Sequence, residues 1–440
     1  MQQILVLGIG RSTFYFLEYL HEHVIPLGYS ITALDMQVGL VEKRQKEFPN
    51  IQFMQSDIDA QTISPWIAKA DLVVSMLPPV CHTMVAEICL REQKHFFTAS
   101  YVSAEIKAMQ AQVESNDLLF MMECGLDPGI DHMSAITLIH ELKEKGAEII
   151  SFESYTGGLV HPDYTNAPWN YKVTWNPRNV VLAGQGAPAQ YRLGGEIKSI
   201  PYDRLFVNPS LWELPNEMPY EGYPNRDSLS YQSLYRLEEA QTFVRGTLRY
   251  TGFCEGWNYL IQLGLTNDTI TLPEDRNRTA CAFLQQHLPA EGNTVEAALE
   301  FIFKEKSNAA KKYLNALGLL DNTPITTAAA TAAQILQSII EQKWKLELGD
   351  KDRIVMIHRI SYRLNNELKT IQSYMIVDGE DSERTAMAKT VGLPLAIAID
   401  LFLNGEIKER GVVIPTSIDI YATILSKLSI FGITFNETVI

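Results

Sequence analysis

Gly8-x-Gly10-x-x-Thr13 sits near the start of the chain, in the run MQQILVLGIGRST, and is the kind of spacing that lets a backbone approach a pyrophosphate. Gly8 allows a tight turn, and Gly10 removes the side chain that would stand between a helix N-terminus and a phosphate. The alternative is a purely structural glycine turn. Thr13 stands where Gly or Ala is usual, a departure expected to spread the helix slightly from the sheet. Asp35 follows Gly8 by 27 positions, at the end of a second apolar run. A carboxylate there accepts from the ribose 2′-OH of NAD and repels the 2′-phosphate of NADP. Lys43 and Arg44 lie farther along and keep NADP open.

Three more groups have the right types for chemistry. Leu77-Pro78-Pro79 and Thr98-Ala-Ser-Tyr101 each close an apolar run, where hydroxyls of a parallel sheet face a bound nucleotide. Glu123-Cys-Gly-Leu-Asp-Pro-Gly-Ile-Asp-His132 places Asp127 between two glycines and a proline, with Asp131 positioned to cap a following helix. Asp127 is suited to hold a substrate ammonium or to share in proton transfer; the other reading is a helix-entry turn. His132 reads as a structural residue at a helix start. Pro224-Asn-Arg-Asp227 and Arg245-Gly-Thr-Leu-Arg-Tyr250 concentrate guanidinium groups, which grip carboxylates in a bidentate fork. Arg245 and Arg249 share one strand face because their separation is even.

The elements that must position these groups alternate regularly. Apolar runs at Ile4–Leu7, Ser30–Leu34, Ile51–Met54, Leu72–Leu77, His95–Thr98 and Leu118–Met122 are separated by helical spacing, the pattern of a doubly wound parallel sheet. After Gly129 a helix (131–145) leads into Tyr-, Trp-, Gly- and Pro-rich segments that predict a mostly antiparallel sheet up to residue 253. Residues 293–344, including the Thr326-Thr-Ala-Ala-Ala-Thr stretch, predict a small helical subdomain. Strands return at 353–362 and 368–377, and helices at 386–403 and 418–428.

Composition narrows the partners. The 440 residues carry a net charge of −15, which argues against a nucleic-acid or anionic-membrane partner, since phosphate binding needs a positive face. A small anionic substrate needs only a few local arginines. Five scattered cysteines without a C-x-x-C pair predict neither a disulfide framework nor a metal site. No basic leader and no uninterrupted apolar run of membrane-spanning length is apparent, so the expectation is a cytoplasmic protein.

Taken together, the segments resemble the saccharopine dehydrogenase (L-glutamate-forming) family. The likeness rests on GIGRST, Ser75-Met-Leu-Pro78 with His82, Lys94-His95 before Thr98-Ala-Ser-Tyr101, and Glu123–Met133. It continues in Tyr155-Thr-Gly-Gly158, Trp175-Asn-Pro-Arg178, Tyr223–Asp227, Arg245–Tyr250 and Ala386–Pro394. The resemblance implies an α/β architecture in which a Rossmann domain (1–130) is completed by 385–440. A mixed-sheet α/β domain (131–290 and 346–384) binds substrate and forms a homodimer, and a helical domain (291–345) is inserted. The implied reaction oxidises the secondary amine of L-saccharopine with NAD, or NADP, and releases L-glutamate and 2-aminoadipate 6-semialdehyde after imine hydrolysis.

By the same resemblance, Ser100, Tyr101, Asp127, Arg226, Thr247 and Arg249 contact substrate, with Asp127 and Tyr101 handling protons. The cofactor is expected at Gly8, Gly10, Arg11, Ser12, Thr13, Asp35, Ser75 and Met76. It also meets Thr98, Ser100, Gly125, Leu126, Asp127, Pro128, Gly129 and Asp131, and finally Asn176 and Arg178. Relatives often carry Cys where this chain has Thr156, so a thiol there is not required. The rival readings are a carboxyspermidine or homospermidine synthase-like imine reductase and a non-catalytic NAD-binding redox sensor. A diamine would want an acidic pocket, which the arginines disfavour.

Overall fold

The computed structural model describes residues 2–225, 227–273, 278–289, 294–325 and 330–440. The strands in chain order begin with β1 (Gln3–Leu7), β2 (Ser30–Asp35), β3 (Gln52–Gln55), β4 (Leu72–Ser75), β5 (His95–Phe97) and β6 (Leu119–Met121). Next come β7 (Glu148–Val160), β8 (Ala189–Leu193), β9 (Glu196–Ile200), β10 (Ser210–Trp212), β11 (Tyr220–Pro224) and β12 (Thr242–Tyr250). The last are β13 (Asp352–Leu364), β14 (Glu367–Asp378), β15 (Gly411–Val413) and β16 (Asn436–Val439).

Met1–Ile149, Arg363–Lys369 and Ser373–Val439 form one compact unit. Its sheet runs β15-β6-β5-β4-β1-β2-β3, parallel throughout. Chain order reverses at β1, which lies between β2 and β4, and this switch point is where a doubly wound sheet opens a ligand crevice beyond its strand ends. Continuous apolar strands such as Ile4-Leu-Val-Leu7, at most 1% exposed, are what burial on both faces demands.

The stretch after Gly10 is helical from Arg11 to Leu27, but it passes through 3-10, α, π and 3-10 turns instead of one regular helix. Helix Ala386–Leu403 packs against it closely, since a Cβ on Gly392 would lie 2.9 Å from the Phe16 nitrogen. That helix is long and apolar enough to cross a membrane by length and composition, although Lys389 and Asp400 interrupt its apolar run. Its apolar window is 78% buried inside the protein. Helix Ile130–Glu144 also belongs to this unit, packed on helix Ile418–Ile430.

The second unit comprises Ile150–Tyr362, Thr370–Gln372 and Ile440. The second sheet follows the order β10-β11-β12-β7-β13-β14-β16, with β8 paired to β12 and β9. It is mixed: β12 runs antiparallel to β11 but parallel to β7. The mostly antiparallel reading missed this because β7 and β12 are joined by the long crossover that a parallel pair requires. Helices Val295–Phe303, Ser307–Ala316 and Ala332–Lys343 share one aromatic core with helix Phe253–Gln262. Trp169 sits among Tyr313, Trp344 and Phe253 with ring centroids 5.0, 5.1 and 5.9 Å away. Thr326–Ala329, part of the Ala-rich stretch singled out above, lies outside the described residues.

Candidate functional site

In the first unit, the turn after β1 carries the glycine pattern in the conformation it needs. Gly8 has φ +88°, and its N–H donates to the Leu34 carbonyl at 2.8 Å. A Cβ on Gly10 would meet nothing within 4 Å, so open space lies above the backbone where a pyrophosphate belongs. Thr13 is absorbed locally, its hydroxyl donating to the Gly10 carbonyl at 2.8 Å. Arg11 is exposed and Ser12 half-buried at the mouth of this turn. The Asp35 carboxylate accepts from Ile9 N–H and Gln37 N–H, each at 2.9 Å, and so ties the end of β2 to the glycine turn. These residues fit a dinucleotide. Gly10→Ala should leave the melting temperature unchanged but weaken cofactor binding at least about tenfold, measured by fluorescence titration, because the methyl group fills space the ligand needs.

Beyond β5 and β6, two turns lock together. Cys124 N–H donates to the Thr98 carbonyl at 3.4 Å and Glu123 N–H to the Ser100 carbonyl at 3.0 Å. Glu123 takes φ +54°, unusual for a non-glycine residue. Its buried carboxylate holds that geometry, accepting from Val102 N–H at 3.0 Å and meeting His132 Nε2 at 2.8 Å. Gly125 and Gly129 make the loop between them possible. A Cβ on Gly125 would lie 2.8 Å from the Ala99 Cβ, and one on Gly129 (φ +144°) would lie 2.1 Å from the Gly125 oxygen. The tight loop presents Asp127, whose Oδ1 accepts from the Tyr101 hydroxyl at 2.7 Å. The two residues expected to handle protons are therefore hydrogen-bonded partners.

Several expected cofactor contacts turn inward instead. Asp131 is 1% exposed and is not the helix cap; it lies in the first turn, where Oδ1 accepts from Gly129 N–H at 2.6 Å. Ser75 is fully buried with its hydroxyl on His82 Nδ1 at 2.9 Å, so its side chain does not face a crevice. Thr98 is 1% exposed and accepts from Ser100 N–H. Met76 donates its N–H to Leu7, and Leu126 and Pro128 are buried in the loop. His82, Glu123 and His132 were assigned no chemistry from sequence. The signal for the last two was a Glu and a His bracketing a glycine-rich loop.

In the second unit, the polar residues converge on one face of the sheet. Thr247 pairs with Thr156 of β7 on one side and with Tyr223 of β11 on the other, and Arg249 pairs with Glu221. Arg249 is 4% exposed, its guanidinium carbon 5.1, 5.2 and 5.9 Å from the ring centres of Tyr171, Phe253 and Tyr223. It donates to the Leu248 carbonyl at 2.8 Å, but its Nε has no partner and it makes no ion pair among the described residues. The Thr156 hydroxyl is likewise buried without a partner among them. Glu221, whose charge helps raise the Arg249 pKa, accepts from Cys254 N–H at the start of helix Phe253–Gln262. Burial raises its pKa, opposed by that N–H.

Other expected residues here have local roles. Arg245 lies over the Tyr231 ring at 4.1 Å. Asn176 caps a short helix by accepting from Arg178 N–H at 2.9 Å, and Arg178 is paired with Asp268. Arg226, expected to bind substrate, lies outside the described residues.

The family model for the saccharopine dehydrogenase NADP binding domain matches residues 4–121, and that for the saccharopine dehydrogenase C-terminal domain matches residues 125–433. The chain is 32% identical over 451 residues to the mitochondrial alpha-aminoadipic semialdehyde synthase of Rattus norvegicus. That alignment covers 99% of this chain and 47% of the rat protein, so the chain spans about half the length of such relatives. It is 30% identical to the saccharopine dehydrogenase (NADP(+), L-glutamate-forming) of Saccharomyces cerevisiae, over 86% of each chain. Its fold matches the apo histidine-tagged saccharopine dehydrogenase (L-Glu forming) from Saccharomyces cerevisiae with a TM-score of 0.88, 27% identity and 100% of both chains covered. With both halves matched and the fold shared from end to end, the chain belongs to the saccharopine dehydrogenase family.

Proposed function

We propose that this chain is an L-glutamate-forming saccharopine dehydrogenase, which oxidises the secondary amine of L-saccharopine to an imine and hydrolyses it to L-glutamate and 2-aminoadipate 6-semialdehyde. The observation that carries the reading is Arg249, a buried cation that makes no ion pair among the described residues. Such a guanidinium is suited to take a carboxylate from a ligand, and saccharopine carries three. A cationic diamine would be repelled by it, which disfavours a polyamine-forming reaction.

The nicotinamide ring, when bound, accepts the hydride. The chain's own residues do the rest. The backbone from Gly8 to Thr13 receives the pyrophosphate, and Asp35 stands at the ribose end. The Tyr101–Asp127 couple holds the proton that the substrate ammonium must lose before a hydride can leave the adjacent carbon. In the second unit, Arg249 and Thr247 are suited to hold a substrate carboxylate. Five free thiols suit a reducing compartment such as the cytoplasm. A homodimer is part of the proposal and is read by light scattering.

The NAD form is proposed over NADP, although the yeast relative's name carries NADP. Asp35 places a carboxylate where a 2′-phosphate would sit, and the cations nearest in sequence are engaged. Lys43 is paired with Glu383, and Arg44 is 4% exposed with Glu47 at 2.5 Å and the Phe14 ring at 5.3 Å. Purified protein should produce 340 nm absorbance from L-saccharopine and NAD. No turnover with either cofactor sinks the assignment, and a higher kcat/KM with NADP overturns the role given to Asp35.

A further inference from the structure

Ser75, the last residue of β4, and Ser100, just beyond β5, are bridged by one side chain. His82, first residue of helix His82–Arg91, places Nδ1 2.9 Å from Ser75 Oγ and Nε2 2.7 Å from Ser100 Oγ. The ring is 3% exposed and Ser75 is fully enclosed. Burial pushes the His82 pKa down to about 4, so the ring is neutral near pH 7. A neutral imidazole has one N–H and one lone pair, and its partners decide which nitrogen carries which.

Here the partners decide it. The Ser75 hydroxyl has no other hydrogen-bond partner among the described residues. If Nδ1 carried the proton, the Ser75 O–H would be a buried donor with nothing to meet. Donation from Ser75 to Nδ1 removes that penalty and puts the ring proton on Nε2. Nε2–H then donates to Ser100 Oγ, and the Ser100 proton must point away from His82. The Ser100 main chain is held, its N–H donating to Thr98 Oγ1 at 3.3 Å and its carbonyl accepting from Glu123 N–H at 3.0 Å, and the His82 bond holds the Oγ. Ser100 is half-buried beside Tyr101, at the strand ends where the reacting half of a dinucleotide lies.

We propose that His82 is a positioning residue: held by Ser75 in its Nε2–H form, it makes the Ser100 hydroxyl a committed donor to a ligand oxygen. That oxygen is a carbonyl or carboxylate at the hydride-transfer end, from the nicotinamide carboxamide or from the substrate. The substrate arm rests on the saccharopine reading; the state of the ring does not.

The first test is a long-range proton–nitrogen NMR spectrum of the full chain labelled with 15N-histidine, without ligands. The expected result is a His82 Nε2–H tautomer unchanged from pH 6 to 8, shifting toward Nδ1–H in Ser75→Ala. An Nδ1–H tautomer or an imidazolium in the wild-type protein at pH 7 overturns the proposal, and this spectrum needs no variant to fold. The second test compares Ser100→Ala, His82→Leu and His82→Gln. The first two should weaken one ligand about tenfold, the effect of one hydrogen bond, with kcat changed less. His82→Gln keeps an N–H toward Ser100 and should recover most of the loss. A raised KM for saccharopine alone assigns the acceptor to a substrate carboxylate; a raised Kd for NAD alone assigns it to the carboxamide. Both constants unchanged in Ser100→Ala refutes the donor role. If saccharopine proves not to be turned over, the tautomer and the NAD Kd still decide the proposal.

Discussion

Arg249→Met raises the KM for saccharopine by about two orders of magnitude or more, while the NAD Kd stays within about twofold of wild type. Two charge-assisted bonds from a guanidinium to a carboxylate contribute roughly 3 kcal/mol or more together, on the order of 10²-fold in binding. The same change should leave the melting temperature unchanged or slightly higher. Arg249 is a buried charge without an ion pair among the described residues, held by one carbonyl and three aromatic rings. Methionine fills similar volume, and removing the desolvation cost of the charge offsets the lost ring contacts. Kinetics with varied saccharopine, NAD titration and calorimetry give the three readings. A large fall in melting temperature with equal losses for both ligands would make Arg249 a structural residue.

Gly129→Ala has the second large effect, and it acts on the fold. At φ +144° and ψ −85° the residue occupies backbone space essentially restricted to glycine, and its Cβ would lie 2.1 Å from the Gly125 oxygen. Backbone rather than a flexible side chain must give way. Strain and overlap together should cost about 3 kcal/mol or more, lowering the melting temperature by about 10 °C in a unit of this size. Activity should fall by at least about 10³-fold, because the loop that breaks is the one presenting Asp127 to Tyr101. Gly10→Ala provides the contrast, an intact fold with a blocked cofactor. A Gly129→Ala protein with normal stability and turnover would mean the loop tolerates an alternative path.

Periodicity carried the skeleton. Ile4–Leu7 is a continuous apolar run and Ala386–Leu403 a mostly apolar one, interrupted by Lys389, Thr390 and Asp400. Asp127, Tyr101 and Arg249 were singled out because their flanking residues are distinctive, and the structure adds the Tyr101–Asp127 hydrogen bond and the burial of Arg249. The switching among 3-10, α and π turns after Gly10 was not legible, since such turns leave no separate mark in apolar spacing. Side-chain direction was the least legible property. Ser75 ends a strand where hydroxyls usually face a ligand, yet His82, seven positions on, turns back and takes it. Asp131 sits where a cap belongs, but Gly129 caps the helix and Asp131 serves the loop's N–H from within. Such choices depend on partners brought in by the fold, which one-dimensional spacing does not encode.

β15 closes the outer edge of β6, and helix Ala386–Leu403 covers the turns that follow Gly10. Both are translated only after Ile150–Tyr362, which is almost all of the second unit. A nascent chain therefore has β1 to β6 complete long before their edge is capped. During that interval the β6 edge offers unpaired backbone groups, the condition that invites wrong pairing between chains. Synthesis speed and chaperone access in that window, more than the finished contacts, should govern how much of the protein matures.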